Sequence, residues 1–313
     1  MTTNIRPLRE NEVAAAGRII RVAFGTYLGV SDPESFRADT DLAGSRWPAD
    51  PSSAFCAELD GQLVGSNFAT RWGSVGFFGP LTVLPALWDK GLAKQLMQPI
   101  MSCFESWRVT HAGLYTFSQS PRHVALYQKY GFWPRFLTAI MLKPVEKATG
   151  TGNWSKYSDI TENEQDAVLK ACFELTSSIY DGLNVEREIR SVLKQKLGDT
   201  VLLWDDRGVA GLAVCHCGPG TEAGEGKCYI KFGAVRSGPV SALLFGRLLE
   251  ACEALAASRG IARLEAGVSL ARHEAYGMML ERGFRTEIQG VSMHRPNEPG
   301  YHRPGAYVID DWR

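Results

Sequence analysis

The sequence predicts a mixed α/β fold present twice in one chain, and three observations carry that reading. The first is internal similarity. The segment YGFWPRFLTAIMLKP at 130–144 returns as RGFRTEIQGVSMHRP at 282–296, matching Gly131 with Gly283, Phe132 with Phe284, Met141 with Met293 and Pro144 with Pro296, each pair 152 residues apart. The same offset relates Val83 to Val235, Leu92 to Leu244, Leu96 to Leu248, and Glu10-Asn11-Glu12 to Glu162-Asn163-Glu164. Only the middle slips: Gly65 matches Gly211, 146 residues on. A fixed offset held over such a span marks a repeated unit. The second observation is that apolar residues in each half switch between a period of two and a period near 3.6, as strands and helices do. The third is bulk composition. With 313 residues, 45% hydrophobic and 22% charged, the chain has the length of about two ordinary globular domains and is neither disordered, collagen-like nor a coiled coil.

In the first half, Ile5–Leu8 reads as a short strand and Glu10–Phe24 as a helix with Val13, Ala16, Ile19, Ile20 and Ala23 on one face. Residues 25–52 hold Gly, Pro and Asp clusters and read as loops with room for a short helix. Phe55–Leu59 and Leu63–Arg71 are strands joined by Asp60-Gly61, a strong hairpin signal. Phe77–Val83 is the next strand. Leu92–Trp107 is a helix with Ala93, Leu96, Met97, Ile100 and Phe104 on one face, and Pro99 is expected to kink it. Gly113–Phe117 is a strand, Pro121–Tyr130 a helix with proline at its start, and Phe132–Leu142 one or two strands. The order implies a largely antiparallel sheet with one parallel crossover near the middle.

The second half repeats the pattern. Thr161 with Glu164 reads as a capping box opening its first helix. Val201–Trp204 and Val209–Cys217 form a hairpin over Asp205-Asp206-Arg207-Gly208, and Tyr229–Val235 is a strand. Ser241–Ala257 is a helix, Leu264–Val268 a strand, Arg272–Arg282 a helix, and Ala306–Ile309 a short strand in the tail. The joint falls near KATGTGN at 147–153, so the expected domains are 1–147 and 153–313. Asp310-Asp311 is expected to be a solvated terminus.

Charge and cysteine content narrow the function. Lys+Arg and Asp+Glu each total 34, which argues against a nucleic-acid face, because phosphate backbones need clustered uncompensated cations. Residues 1–150 carry 15 basic and 12 acidic side chains, whereas the rest carries 19 and 22. There is no apolar run of membrane-spanning length and no secretory h-region. Seven cysteines lack framework spacing. These features predict a reduced, cytoplasmic chain, a monomer or homodimer, without membrane or nucleic-acid partners. Cys215 and Cys217 alternate with His216 along a strand, so the three do not converge and no metal is expected.

Two segments carry chemistry. In Leu81-Thr82-Val83-Leu84-Pro85-Ala86-Leu87-Trp88-Asp89-Lys90-Gly91-Leu92-Ala93-Lys94 a strand ends, a glycine loop follows and a helix opens. Such a junction presents backbone N–H groups and the positive end of a helix dipole to an anion. Gly91 and Ala93 let a phosphate approach, and Lys90 and Lys94 add charge. The other segment runs Ser120-Pro121-Arg122-His123-Val124-Ala125-Leu126-Tyr127 to Tyr130-Gly131-Phe132, a short helix with Gly131 suited to the C′ position.

Together these segments resemble the GNAT superfamily of acyl-CoA-dependent N-acetyltransferases, in its tandem two-domain form. The first family motif, roughly V-x-P-x-x-[RQ]-x-x-G-x-[GA]-x-x-L, is met by Val83, Pro85, Gly91, Ala93 and Leu96, with Trp88 in the Arg/Gln place. The second, roughly N-x-x-A-x-x-[LF]-Y-x-x-x-G-F, is met by Leu126, Tyr127, Gly131 and Phe132, with Ser120 for Asn and His123 for Ala. The resemblance implies acetyl-CoA as co-substrate and an amine, small-molecule or peptide, as acceptor. It implies that backbone N–H groups of Asp89, Lys90, Gly91, Leu92, Ala93 and Lys94 hold the pyrophosphate and that Leu81, Thr82 and Val83 pair with the pantetheine arm. Trp88, Ser120 and His123 would stand beside the cofactor, and Tyr127 would protonate the leaving thiolate. Candidates for the base that takes the amine proton are Ser118, His111, His123 and Glu58. In the second half Gly91 becomes Leu243, Ala93 becomes Phe245 and Tyr127 becomes Met279, so one working site is expected, in the N-terminal half. A non-catalytic acyl-CoA sensor is the alternative reading.

Overall fold

A computed structural model describes residues 3–145 and 152–313; most of the expected joint, 146–151, lies outside the described residues. The first half runs β1 (Thr3–Pro7), α1 (Val13–Tyr27), α2 (Leu42–Ala49), β2 (Ala54–Leu59), β3 (Gln62–Trp72), β4 (Val75–Phe78) and β5 (Thr82–Val83). It continues with α3 (Leu92–Ser106), β6 (His111–Thr116), α4 (Pro121–Gln128) and β7 (Trp133–Pro144). The second half gives β8 (Trp154–Lys156), α5 (Glu162–Ile179), α6 (Glu186–Gln195), β9 (Gly198–Asp205), β10 (Gly208–Gly218) and β11 (Gly224–Val235). Then follow α7 (Ser241–Ser258), β12 (Arg263–Ser269), α8 (His273–Glu281), β13 (Arg285–Arg295) and β14 (Val308–Ile309). None of these helices is long and apolar enough to cross a membrane.

The strands form one sheet ordered β1-β2-β3-β4-β6-β13-β7-β12-β11-β10-β9-β8, with β5 on β3 and β14 on β11 beside that path. The final strands of the two halves are exchanged: β13 lies on β6 and β7 on β12. The offset of the sequence repeat is written into these ladders. Leu114 faces Met293, and Met141 faces Ala266; each residue is the 152-shifted counterpart of one in the other pair. At the centre Thr138 of β7 faces Gly290 of β13, a residue against its own repeat, so the halves are related there by a pseudo-twofold axis. Each half has one parallel pair, β4 with β6 and β11 with β12, bridged by α3 and α7. α3 buries Leu92, Leu96, Met97, Ile100 and Phe104 against the sheet, each such side chain contributing roughly 1.5–3 kcal/mol.

Pro99 lies within a continuous α3, where it costs one ladder bond, to the carbonyl four residues back. Several expectations elsewhere need correction. The capping box at Thr161 does not form: its hydroxyl is turned to the side-chain oxygens of Asn163 and Glu164 and accepts no backbone N–H. α6 goes beyond the predicted elements; Ile189 and Val192 anchor it to the second core. The tail is not solvated. Asp310 and Asp311 are buried, because Asp310 meets Arg272 at 3.0 Å and the Tyr301 hydroxyl at 2.7 Å, while Asp311 accepts from Tyr229 at 3.1 Å.

Four of the six histidines are buried. His111 on β6 and His294 on β13 share a hydrogen bond of 3.0 Å between Nε2 and Nδ1, and the His302 ring of the tail lies 4.6 Å from that of His294. Burial lowers His111 and His216 to about 4 and His294 to about 2, and drives His302 well below the ordinary imidazole range. These imidazoles are neutral in the fold, whereas in the unfolded chain they take up protons below about pH 6.5. Each should therefore reduce stability by about 1.4 kcal/mol per pH unit on descending from about 6.5 toward 4. Urea unfolding followed over that interval should show midpoints falling steadily; a midpoint independent of pH there would contradict the assignment.

Candidate active site

The site begins at a break in a strand. Phe77–Val83, predicted as one strand, is divided: β4 ends at Phe78, Gly79-Pro80 intervenes, and only Thr82–Val83 returns to pair with β3. Pro80 has no N–H to carry a ladder onward, and Gly79 adopts φ 146°. The parallel ladder of β4 with β6 stops at Phe77 opposite Gly113. Beyond that point the two strands diverge around a cavity of about 950 Å³, with Phe78–Leu81 on one wall and Leu114–Phe117 on the other.

One end of the cavity is the start of α3. Gly91 is its N-cap, at φ 80°, and the space where a Cβ would stand is empty to 4 Å. The N–H groups of Leu92, Ala93 and Lys94 have no acceptor within the helix and lie at its positive end. The Leu92 side chain is buried, so that residue offers its backbone alone. Trp88, in the place of the family Arg or Gln, donates Nε1–H to the Val83 carbonyl at 2.8 Å and pins the loop to β5. Its ring lies 5.2 Å from the guanidinium of Arg122, which is also 3.4 Å from the exposed Asp89 carboxylate. The cation that the motif lacks at Trp88 thus arrives from the first turn of α4.

The opposite wall carries Tyr127. α4 ends in a left-handed Gly131 at φ 80°, and the Phe132 N–H returns to the Tyr127 carbonyl at 3.2 Å, a Schellman closure that docks Phe132 in the core. This fixes Tyr127 with its ring 5.6 Å from Phe78. Burial alone raises its hydroxyl above the ordinary phenol range, so it is a neutral donor throughout the physiological range.

Of the residues singled out from sequence, Leu81, Val83, Trp88, Asp89, Gly91, Leu92, Ala93, Lys94, His123 and Tyr127 line the cavity. Thr82 is buried beside β3, Lys90 is exposed, and Ser120 is the buried N-cap of α4; none of the three is on the wall. Among the four candidate bases only His123 is, its ring 5.2 Å from Tyr27 and its pKa lowered by burial and by Arg122. His111 is committed to His294, Glu58 accepts from Arg6 at 2.9 Å on the far side of the sheet, and Ser118 is exposed.

Of the inner end, which both halves build, the sequence suggests only that Trp312 of the tail can reach the cleft of the first half. Tyr115, Arg37, Glu222, Trp312 and Arg313 meet there. Trp312 lies flat on Gly113, where a Cβ would come within 2.0 Å of its ring, and Tyr115 lies on Gly290 in the same way at 2.4 Å. Glu222 accepts from Arg46 Nε and Nη2 at 3.0 Å each and from Lys231 Nζ at 2.8 Å. Burial would raise its carboxyl, but the two cations prevail and hold it well below the usual carboxylate range. Arg46 also donates to the Gly79 carbonyl at 2.5 Å, fastening the strand break. Glu222→Ala would leave the buried Arg46 without its carboxylate and Lys231 with Glu188 alone. Unfolding in urea should then show a loss of about 3–5 kcal/mol; a loss below about 1 kcal/mol, as for an exposed pair, would refute this role.

At the corresponding places of the second half, β11 is unbroken, Leu243 is 55% exposed, and Phe245 and Met279 are fully buried in the core.

A model of the acetyltransferase (GNAT) family matches residues 20–132. No curated protein matches the chain in sequence. Among solved structures, a putative acetyltransferase from Pyrococcus horikoshii is 14% identical, covering 99% of this chain and 95% of its own, with a TM-score of 0.69. A GCN5-related N-acetyltransferase from Sphaerobacter thermophilus is 15% identical, over 94% and 95%, with a TM-score of 0.58. Another from Anabaena variabilis is 13% identical, over 94% and 72%, with a TM-score of 0.54. At these identities the likeness is one of fold.

Proposed function

From the match of residues 20–132 to the acetyltransferase (GNAT) family model, we propose that this chain moves an acetyl group from acetyl-CoA to the amine of an acceptor by direct attack. The observation that carries the reading is one continuous cavity joining the N–H end of α3 to Tyr127 through the break between β4 and β6.

Acetyl-CoA supplies the activated acetyl thioester. The first turn of α3 fits its pyrophosphate, because Gly91 leaves open space, the backbone donors are unspent, and Lys94 and Arg122 add positive charge on the same wall. The edges freed by Gly79-Pro80 accommodate an extended arm between β5 and β6. Tyr127 holds a proton at its hydroxyl and gives it to the departing sulfur, a general-acid role suited to a buried neutral phenol. No cysteine of the described chain lines the cavity, which favours direct transfer over a thiol-bound acyl group. The second half serves as the inner wall, through Glu222, Trp312 and Arg313, while the cofactor site belongs to the first.

Calorimetric titration should show acetyl-CoA binding; none at about millimolar ligand, a level at which even ~4 kcal/mol of affinity is detected, would overturn the reading. Tyr127→Phe should reduce kcat by about 10²–10⁴-fold and leave acetyl-CoA affinity nearly unchanged. Gly91→Val, forcing a branched side chain into a left-handed position, should weaken acetyl-CoA binding at least tenfold, about 1.4 kcal/mol. Binding without transfer to any of a broad panel of amines would instead favour the acyl-CoA sensor.

A further inference from the structure

We propose that the acceptor is an amino acid with an apolar or aromatic side chain, and that Arg37 receives its carboxylate at the inner end of the cavity. The inference rests on the acyltransferase reading above and names the substrate class of that site.

Arg37 lies in a left-handed turn at φ 47° after α1, and its guanidinium reaches the cavity. Nη2 donates to the backbone carbonyl of Glu222 at 3.3 Å, while Nε is buried without any hydrogen-bond partner. The charged groups around it are engaged elsewhere. Glu222 belongs to Arg46 and Lys231. Glu265 belongs to Arg313 and Lys227, Asp311 to Arg313 and Tyr229, and Asp39 accepts the Glu225 N–H at 2.6 Å. Arg313, a like charge, is on the same wall. Tyr115, also on the wall, has a buried hydroxyl without a partner.

Buried donors are almost always satisfied. Arg37 and Tyr115 both line the cavity, and each carries a buried donor without a partner in the protein; a guanidinium whose neighbour is another guanidinium favours an anion from the ligand. A guanidinium fork with one hydroxyl matches the planar, two-oxygen face of a carboxylate. Phe24, Phe36 and Phe117 line the cavity as well, and Leu28 and Ile288 stand at 44% and 41% exposure on the same lining. Apolar side chains left open to solvent around a cavity mark a surface that an apolar ligand covers. A carboxylate beside an aryl or branched alkyl group, on a molecule with a primary amine, answers both features.

The test compares phenylalanine with phenethylamine, which keeps the ring and the amine and lacks the carboxylate, as acceptors with saturating acetyl-CoA. Phenylalanine should be preferred in kcat/KM by about ten- to hundredfold, the range of a hydrogen bond to a charged group. Arg37→Gln should raise KM for phenylalanine by a similar factor, leaving its kcat, the KM for phenethylamine and the acetyl-CoA affinity near their original values. Arg37→Lys should recover part of the preference. Equal use of the two acceptors, or an Arg37→Gln defect that falls equally on both, overturns the proposal while leaving the acetyltransferase reading intact. If neither is acetylated, calorimetric titration of phenylalanine into the acetyl-CoA-saturated protein decides, and absence of binding overturns the proposal. Failure of acetyl-CoA itself to bind removes the reading on which it rests.

Discussion

The antiparallel pairing of β7 with β13 is the contact on which the rest of this structure depends. They are equivalent strands of the two halves, and each pairs on its other edge with a strand of the opposite half. Without this pairing the sheet would divide between β7 and β13, and unpaired edges are unstable features of soluble sheets. With it, twelve strands form one continuous order, and neither half completes its sheet alone. The pseudo-twofold axis at Thr138 and Gly290 fixes which surfaces meet. It brings the second half against the broken strand of the first, and lets the tail cross β6, where Gly113 makes room for Trp312.

The two halves are alike in topology and differ where chemistry requires it. Gly79-Pro80 corresponds, 152 residues on, to Lys231-Phe232. In the first half the pair ends the strand; in the second, β11 continues from Gly224 to Val235 but carries a bulge at Lys231, and its parallel ladder with β12 stops at Ile230. The two places are physically joined. Arg46 donates to the Gly79 carbonyl, Glu222 bridges Arg46 and Lys231, and Lys231 also meets Glu188 at 3.3 Å. The intact strand thereby braces the broken one. A buried network of this kind adds little net stability over an apolar core of similar shape. Its value lies in geometry, because every misalignment of the halves would leave a charge unpaired in low dielectric.

How much of this was legible in the sequence depended on the range of the interaction. Local signals were sound: the Asp60-Gly61 hairpin, the helix after Gly91, the Schellman closure at Gly131, and the duplication itself. The glycine loop and Tyr127, read from local spacing, do line one cavity. Gly79-Pro80 was visible too, but its neighbours have strong strand character and concealed the interruption. The strand exchange was not legible, since β7 would present the same alternation whichever β6-like strand it joined. The burial of Asp310 and Asp311 was equally hidden. Their partners lie 38 and 82 residues away, and nothing within a terminal tetrapeptide distinguishes a solvated carboxylate from a committed one.

This also explains why the missed residues gather at the inner end of the cavity. The end of the cavity made from one loop and one helix leaves a motif, whereas the end made from the meeting of two halves leaves none. Tyr115 needs Gly290 beneath it, Arg37 rests on the carbonyl of Glu222, and Arg313 needs Asp311 and Glu265 to be carried underground. Each is unremarkable in its own stretch of chain and acquires meaning only through a partner in the other half. The loss of the glycine loop and tyrosine from the second copy follows the same logic. Once its sheet, its buried carboxylates and its tail form the far wall of the first copy's cavity, selection on that copy falls on packing and charge placement. Phe245 and Met279, fully buried where Ala93 and Tyr127 face the cavity, are the residues such a role requires.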